Sequence, residues 1–198
     1  MKKILYTALL ASSIILPSAV KADALPAPVV CVVAQTTLDK SAALKSIVNQ
    51  LEKKRAEIQK ELSADENKLK AEDKELSDKQ KKMSEKEFGE KRQAFEKKVR
   101  DIQSKLEIRR VQMELAFEDA KKKVYEAFLK VADQVKKEAG ANIMLYKETV
   151  VTADDAFDLS NKVLENLDKS LPTVQVTFKS ESEIKKLIQQ QQAQQQAQ

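Results

Sequence analysis

Residues 79–95 read KQKKMSEKEFGEKRQAF and lie near the middle of a long, charged run that is poor in glycine. A run of this length forms either one straight helical rod or a hairpin of two helices. Within it, Ser84 and Glu87 make an S-x-x-E capping box, in which each side chain accepts a hydrogen bond from the other residue's backbone amide. Met83 and Phe88 occupy the flanking positions of a hydrophobic staple. The local pattern therefore predicts that a new helix begins here.

Apolar residues recur with heptad spacing on both sides of this box, as in a coiled coil. The predicted seams are Leu44, Val48, Leu51, Ile58, Leu62, Leu69, Leu76 and Met83 before it, and Phe88, Phe95, Val99, Ile102, Leu106, Met113, Phe117, Ala120, Val124, Phe128, Val131 and Val135 after it. Folding the run back opposes positions whose numbers add to 171, as for Leu69 and Ile102. Gly140 is a natural C′ residue that ends the second helix. We predict an antiparallel helical hairpin over residues 37–140 with its tip near 84–88.

The first seam becomes thin in the outer half of the hairpin. Beyond Leu62 its alternate positions hold Asp65, Glu72 and Lys79. Each buried apolar side chain in a seam contributes roughly 1.5–3 kcal/mol, so their absence predicts arms that open easily there. These three residues form the candidate flexible seam.

Short β-like runs flank the hairpin. Residues 29–34 are β-branched and predict a buried strand, while NIMLY (142–146) and TVVTA (149–153) predict a β-hairpin through Lys147 and Glu148. One or two short helices follow, and TVQVTF (173–178) predicts a last strand. We expect segments 25–36 and 141–178 to meet in a small β-body, which gives an α+β fold that is mainly α.

The two ends of the chain have distinct compositions. Residues 1–24 combine Lys2 and Lys3, about 13 apolar residues and small residues, which is typical of a secretory signal peptide cleaved near Ala22 or Ala24. That apolar stretch is shorter than the roughly 20 residues that span a bilayer. Residues 179–198 form a Gln-rich, low-complexity tail, which we expect to be disordered, with at most a frayed helix at 181–188.

Composition excludes most catalytic chemistry. The 198 residues include no histidine, two glycines and one cysteine, so the usual general bases, zinc clusters and phosphate-binding loops are absent from the sequence. We predict no catalytic residue, no cofactor and no metal, hence no enzyme. Cys31 has no second cysteine to pair with inside the chain; it is either a small buried residue or an intersubunit disulfide partner.

Charge is uneven along the hairpin. Residues 79–110 hold twelve basic and six acidic residues, whereas 57–78 hold four basic and eight acidic ones. The tip is therefore predicted to be positive and to attract acidic partners or anionic lipid, although solubility alone also explains it. The candidate tip contacts are Met83, Phe88, Phe95, Lys91, Arg92, Lys97 and Lys98. The three apolar residues have the alternative role of hairpin core.

The order of these segments resembles the Skp (OmpH) family of periplasmic chaperones over about residues 28–178. The resemblance depends most on VVAQTTLDKSAALKSIVNQLEKKRAEIQKEL (32–62), MSEKEFGEKRQAFEKKVRDIQ (83–103) and LDKSLPTVQV (167–176). It implies a periplasmic homotrimer in which three coiled-coil arms project from a joint β-body around a cavity.

The same resemblance implies an ATP-independent holdase that keeps unfolded outer-membrane proteins soluble. The positive tip is also compatible with anionic lipid or lipopolysaccharide surfaces as partners. A structural coiled-coil protein of the cell envelope is the alternative function. Non-specific nucleic-acid binding is disfavoured because the export signal removes the chain from nucleic acid.

Overall fold

The computed structural model describes residues 27–196, so the predicted signal peptide lies outside the described residues. Within that range the chain is mainly helical with one small sheet, which confirms the predicted fold class. The strands are β1 (Val30–Val33) and β2 (Ile143–Tyr146), and the helices are α1 (Thr36–Lys40), α2 (Ala42–Lys79), α3 (Glu85–Glu138), α4 (Ser160–Ser170) and α5 (Glu181–Gln196). None of these helices holds an apolar stretch of the length needed to cross a bilayer.

Helices α2 and α3 form the predicted antiparallel hairpin. Ser41 separates α1 from α2 and caps the start of α2, where its hydroxyl oxygen accepts from the Leu44 amide at 3.2 Å. At the tip, the Ser84 hydroxyl accepts from the Glu87 amide at 3.3 Å, and the Glu87 carboxylate accepts from the Ser84 amide at 3.1 Å. Gly140 follows α3 with φ of +69°, a conformation that favours glycine. The capping box and the glycine stop are both confirmed.

The sheet contains the two strands at the base of the hairpin. β1 and β2 run parallel, with Val30 opposite Ile143 and Val33 opposite Tyr146. The predicted β-hairpin to residues 149–153 is wrong. The other side of β1 is occupied instead by Asp158, which forms an isolated parallel bridge with Val32. A 3-10 turn at Lys147–Thr149 follows β2 directly, and residues 149–153 form no strand.

The predicted last strand is also wrong, because residues 173–178 pair with a side chain rather than with a strand. The Gln50 amide donates to the Val174 carbonyl at 2.8 Å and accepts from the Val176 amide at 3.0 Å. Val174 and Val176 are buried against the base of α2 and α3. The segment is extended, but two of its backbone groups are bound by the side chain of a helical residue instead of a neighbouring strand.

Residues 181–196 of the Gln-rich tail are helical, so the expectation of disorder is wrong there, and the helix extends beyond the predicted 181–188. Ser180 and Glu183 form a second capping box, in which the Ser180 amide donates to the Glu183 carboxylate at 2.8 Å. Ile184 is fully buried, and α5 lies along α3. Leu187 and Ile188 are partly buried as well and lie close to Val111 and Leu115 of α3. These apolar contacts and the capping box explain a helix in a segment of low-complexity composition.

Two apolar clusters hold the base together. One joins α2, α3 and the 173–178 segment through Ala43, Leu44, Ile47, Ala116, Ala120, Val124, Val174 and Val176. The other joins β1, the end of α3 and α4 through Val33, Phe128, Val131, Ala132, Val135, Val163 and Leu167. Cys31 is buried beside them, and burial raises the pKa of its thiol. This position agrees with the role of a small buried residue.

Candidate functional site

An apolar groove of about 670 Å³ lies between the arms near their base. Helix α2 contributes one wall and α3 the other. The apolar lining residues are Val48, Leu51, Ile58, Leu62, Leu106, Met113 and Phe117, and the rim is formed by Glu52, Arg55, Arg109, Arg110 and Glu114. An open groove with an apolar floor and a charged rim is suited to holding apolar side chains of another molecule.

Two residues of the predicted seam are displaced into this groove. Val48 is 42% exposed and Leu106 is 53% exposed, so their assignment to the buried seam is wrong. Beside the groove, the buried positions of α3 are instead Ile108, Gln112 and Ala116, whereas closer to the sheet the predicted seam residues Ala120, Val124, Phe128, Val131 and Val135 are buried. Gln112 contacts the C-terminal segment (residues 171–180), and Ala116 packs in the apolar cluster that contains Ala43 and Val174. The row that contains Leu106 lines the groove.

The outer half of the hairpin is closed by cross-arm ion pairs. Lys105 Nζ lies 2.7 Å from Asp65 Oδ2 and 2.6 Å from Glu61 Oε1, and Lys98 pairs with Glu72. Hydrogen bonding to Lys105 lowers the pKa of Asp65 and Glu61, and these bonds raise the pKa of Lys105. Lys79 pairs with Glu75 on its own helix. Two of the three candidate flexible-seam residues therefore bind the opposite arm through charge, and the third does not.

Some apolar contact persists between these pairs. Leu62 and Leu76 are buried, while Leu69 is half-buried. The predicted register opposes residues whose numbers add to 171. The numbers of the cross-arm partners Glu72 and Lys98 add to 170, so this ion pair lies one position away from that register. The outer arm is thus a thin apolar seam flanked by ion pairs.

The candidate tip residues divide into two groups. Met83, Phe88 and Phe95 are half-buried, so each presents part of its surface to solvent. The four basic residues are exposed, and two of them are already paired, Arg92 with Glu96 and Lys98 with Glu72. Residues 57–110 together hold sixteen basic and fourteen acidic groups. Because the acidic arm lies against the basic arm, the net positive charge of the outer hairpin is smaller than the count on one arm predicts.

The sequence analysis missed a polar junction at the inner end of the ion-pair region. Gln112 is buried, accepts from Arg109 Nη1 at 3.2 Å and donates to the Lys179 carbonyl. The Arg109 guanidinium also reaches Glu61 at 3.3 Å and Glu181 at 4.0 Å. Arg109 is therefore the point where α3 contacts both α2 and the C-terminal part of the chain. Gln112 directly precedes the predicted seam residue Met113, and nothing in the sequence pattern indicated that its side chain would be buried at a polar junction.

A second apolar surface lies on the small sheet and the adjoining end of α3. Tyr125, Leu129, Ile143 and Leu145 are each about two-fifths exposed or more. Met144, Tyr146 and Phe128 lie beside them around a depression of about 270 Å³. A two-stranded sheet is marginal by itself, so this surface is suited to contact with another protein.

Known proteins match this chain at the level of family and fold. A family model described as outer membrane protein (OmpH-like) matches residues 28–167. The crystal structure of a proposed OmpH-like outer membrane chaperone from Caulobacter crescentus CB15 superposes with a TM-score of 0.73 at 22% identity, covering 78% of this chain and 93% of that one. Curated protein sequences give no significant match.

Proposed function

The chain belongs to the OmpH-like outer membrane protein family, and from this premise we propose that it is a holdase chaperone of the periplasm. It binds unfolded outer-membrane proteins without ATP and prevents their aggregation. The observation that supports this most directly is the apolar groove between the arms, whose floor includes the half-exposed side chains of Val48 and Leu106. Unfolded clients present apolar side chains that such a groove shields from water.

The arms suit this task because their outer half is closed mainly by ion pairs that are exposed or only partly buried. Surface ion pairs contribute little net stability, so the arms separate at low cost and re-form the same pairs afterwards. The helices and the sheet of the base are held together by two buried apolar clusters. Clients of different size can then be accommodated between arms that open outward from this base.

We further propose that the β-body, residues 25–36 and 141–178, joins three copies of the chain. The exposed apolar residues Leu129, Ile143 and Leu145 lie together at the end from which the hairpin projects. Covering them with equivalent surfaces of other subunits would bury them and would place three hairpins side by side. The space between the hairpins is then the client cavity, and the tip cations are available to anionic surfaces.

An aggregation assay tests the proposed function. An unfolded outer-membrane porin is diluted from denaturant without ATP, and light scattering is followed with and without the protein. We expect the parent to suppress scattering and the Val48→Ser/Leu106→Ser variant to suppress it less. Val29→Ser is the matched control, because Val29 is 45% exposed and lies outside the groove.

Two results would contradict the proposal. If the parent leaves porin scattering unchanged, the chain is not a holdase and a structural coiled coil of the envelope becomes the better interpretation. If the groove variant protects porin as well as Val29→Ser does, clients bind elsewhere on the molecule.

A further inference from the structure

We propose that the face of the hairpin now covered by residues 173–178 is a second binding site, for extended polypeptide segments with alternating apolar side chains. The chain's own C-terminal segment occupies this site as an internal ligand. We expect the external ligands to be strands of unfolded outer-membrane proteins, and this expectation rests on the proposed function. The site itself is inferred independently, from the contacts that residues 173–178 make with the hairpin.

The first of these contacts is a side chain that binds the backbone of an extended segment. The Gln50 amide donates to the Val174 carbonyl at 2.8 Å and accepts from the Val176 amide at 3.0 Å. In an extended chain these two groups point to the same side, where a neighbouring strand would satisfy both. Gln50 therefore replaces a strand partner. Because both bonds go to the main chain, they do not depend on the sequence of the bound segment.

The second observation is the match between the floor of the site and alternate side chains. Val174 and Val176 are buried and Phe178 is partly buried, whereas Thr173, Gln175 and Thr177 face solvent. The floor contains the small residues Ala43, Ala116 and Ala120 together with Leu44, Ile47 and Val124. A shallow floor of this kind accepts every second side chain of a strand. Alternation with a period of two is also the sequence pattern of transmembrane β-strands.

The occupying segment is suited to release. Residues 171–180 belong to no helix or strand, so displacing them breaks no regular element. Beyond Phe178 the segment is held by polar contacts, from Gln112 to the Lys179 carbonyl and from Lys179 Nζ to Asp119 at 2.6 Å. Segments held mainly by side-chain contacts open more readily than helices and sheets.

The site also adjoins the groove between the arms. Leu51 and Phe117 line that groove and pack against the apolar cluster that contains Val174 and Val176. A client chain that fills the groove therefore lies next to the internal ligand and can compete with it. A tethered ligand has an effective concentration of roughly millimolar, so a short free peptide competes poorly and a client held in the groove competes well.

Hydrogen exchange on the full-length parent is the first test. Exchange of the backbone amides of residues 173–180 is measured for the free protein and for its complex with an unfolded porin. We expect exchange of the Val176 amide to be at least tenfold faster in the complex, since the client displaces this amide from Gln50. Unchanged exchange while the porin stays soluble would overturn the inference and leave the proposed function intact. Aggregation of the porin in the same samples would instead reject the proposed function.

A peptide-binding experiment tests the site without a porin. A fluorescent peptide, TVQVTFKS, is titrated with the full-length parent and with Val174→Ser/Val176→Ser, which weakens the internal ligand and leaves the floor unchanged. We expect binding to the variant to be at least tenfold tighter, and the peptide VVTTQFKS, of equal composition without the alternation, to bind at least tenfold more weakly. Adding Gln50→Ala should remove most of the gain. Equal affinity for the two peptides, or no effect of Gln50→Ala, contradicts a site that binds an extended backbone.

Discussion

Lys105 Nζ lies 2.7 Å from Asp65 Oδ2, across the hairpin and forty residues away in the chain. The same ammonium group lies 2.6 Å from Glu61. A position where a coiled coil would bury an apolar side chain is thus occupied by a charge with a partner on the other arm. The outer hairpin is therefore sensitive to ionic strength in a way that its apolar base is not.

We predict that Lys105→Met opens the outer arms. The variant keeps an apolar stem but loses both cross-arm ion pairs, so hydrogen exchange should accelerate over residues 62–79 and 98–110 and stay unchanged at the base. Raising the salt concentration should have the same effect on the parent, because salt screens exposed charges. Lys68→Met is the control, since Lys68 lies 3.8 Å from Asp65 on the same helix and is mostly exposed. Equal exchange in Lys105→Met and Lys68→Met would show that these pairs do not hold the arms.

We predict that salt slows client capture more than it weakens the final complex. Charge steers the encounter, while apolar burial holds the bound client. The effect should be modest, because the basic arm is largely balanced by the acidic arm that faces it. Stopped-flow mixing of a labelled unfolded porin at low and high ionic strength measures the capture rate. A rate independent of salt would mean that the tip charges serve solubility alone.

We predict that Leu145→Asp dissociates the proposed trimer, because it places a carboxylate within the apolar surface of the β-body. Sedimentation equilibrium at micromolar concentration should report a monomer for this variant and a trimer for the parent. Leu106→Asp makes the same change at a half-exposed leucine on the arm, and it should leave the oligomer intact. Deleting residues 85–89 should also leave it intact, since they form the far end. A monomeric parent would refute the assembly proposed here.

We predict that Asp158 makes the β-body acid-sensitive. Hydrogen bonds from Lys147 and then from Ser160 lower the pKa of Asp158 from its ordinary value of 3.8 to about 2. A carboxylate whose pKa is lower in the folded state stabilises the fold above about pH 4, and this contribution is lost as the pH falls toward 2. With a discount for partial exposure, it amounts to about 1–2 kcal/mol.

Thermal unfolding of the parent and of Asp158→Asn between pH 2 and pH 6 measures this contribution. The parent should have a higher melting temperature than the variant at pH 4 and above, and this difference should disappear as the pH falls from 4 to 2. Asp155→Asn, a neighbouring carboxylate change, controls for the general loss of stability in acid. A constant difference between the parent and Asp158→Asn at all pH values would show that ionisation of Asp158 contributes nothing.

The hairpin could be predicted because its signals are local. Ser84 and Glu87 lie three residues apart, and Gly140 acts on the helix end next to it, so both effects are visible in a short stretch of sequence. The partners of the β-like runs could not be predicted in this way. Val174 and Val176 have a strand pattern, but their backbone partner is Gln50, a side chain more than 120 residues earlier.

The groove also could not be predicted from the sequence pattern. Heptad spacing identifies Val48 and Leu106 as apolar positions on their helices, but it does not specify how far each helix is rotated about its axis. In the structure the rotation of α3 places Ile108 and Gln112 in buried positions, and Gln112 donates to the Lys179 carbonyl. Partner choice at Arg109 likewise depends on the tail, whose composition gave no indication of where it would pack.

The parallel pairing of β1 with β2 has a consequence for the order in which the chain folds. Val30 and Ile143 are separated by 113 positions, and closing a flexible loop of that length costs about 4 kcal/mol of chain entropy. The hairpin reduces this cost, because its contacts begin between near neighbours at the tip and extend stepwise toward the base. The strands can therefore meet only after both arms have formed. A chain that emerges from a membrane pore with its N-terminus first would hold β1 unpaired until more than a hundred further residues had followed, and the surface available for assembly would be completed last.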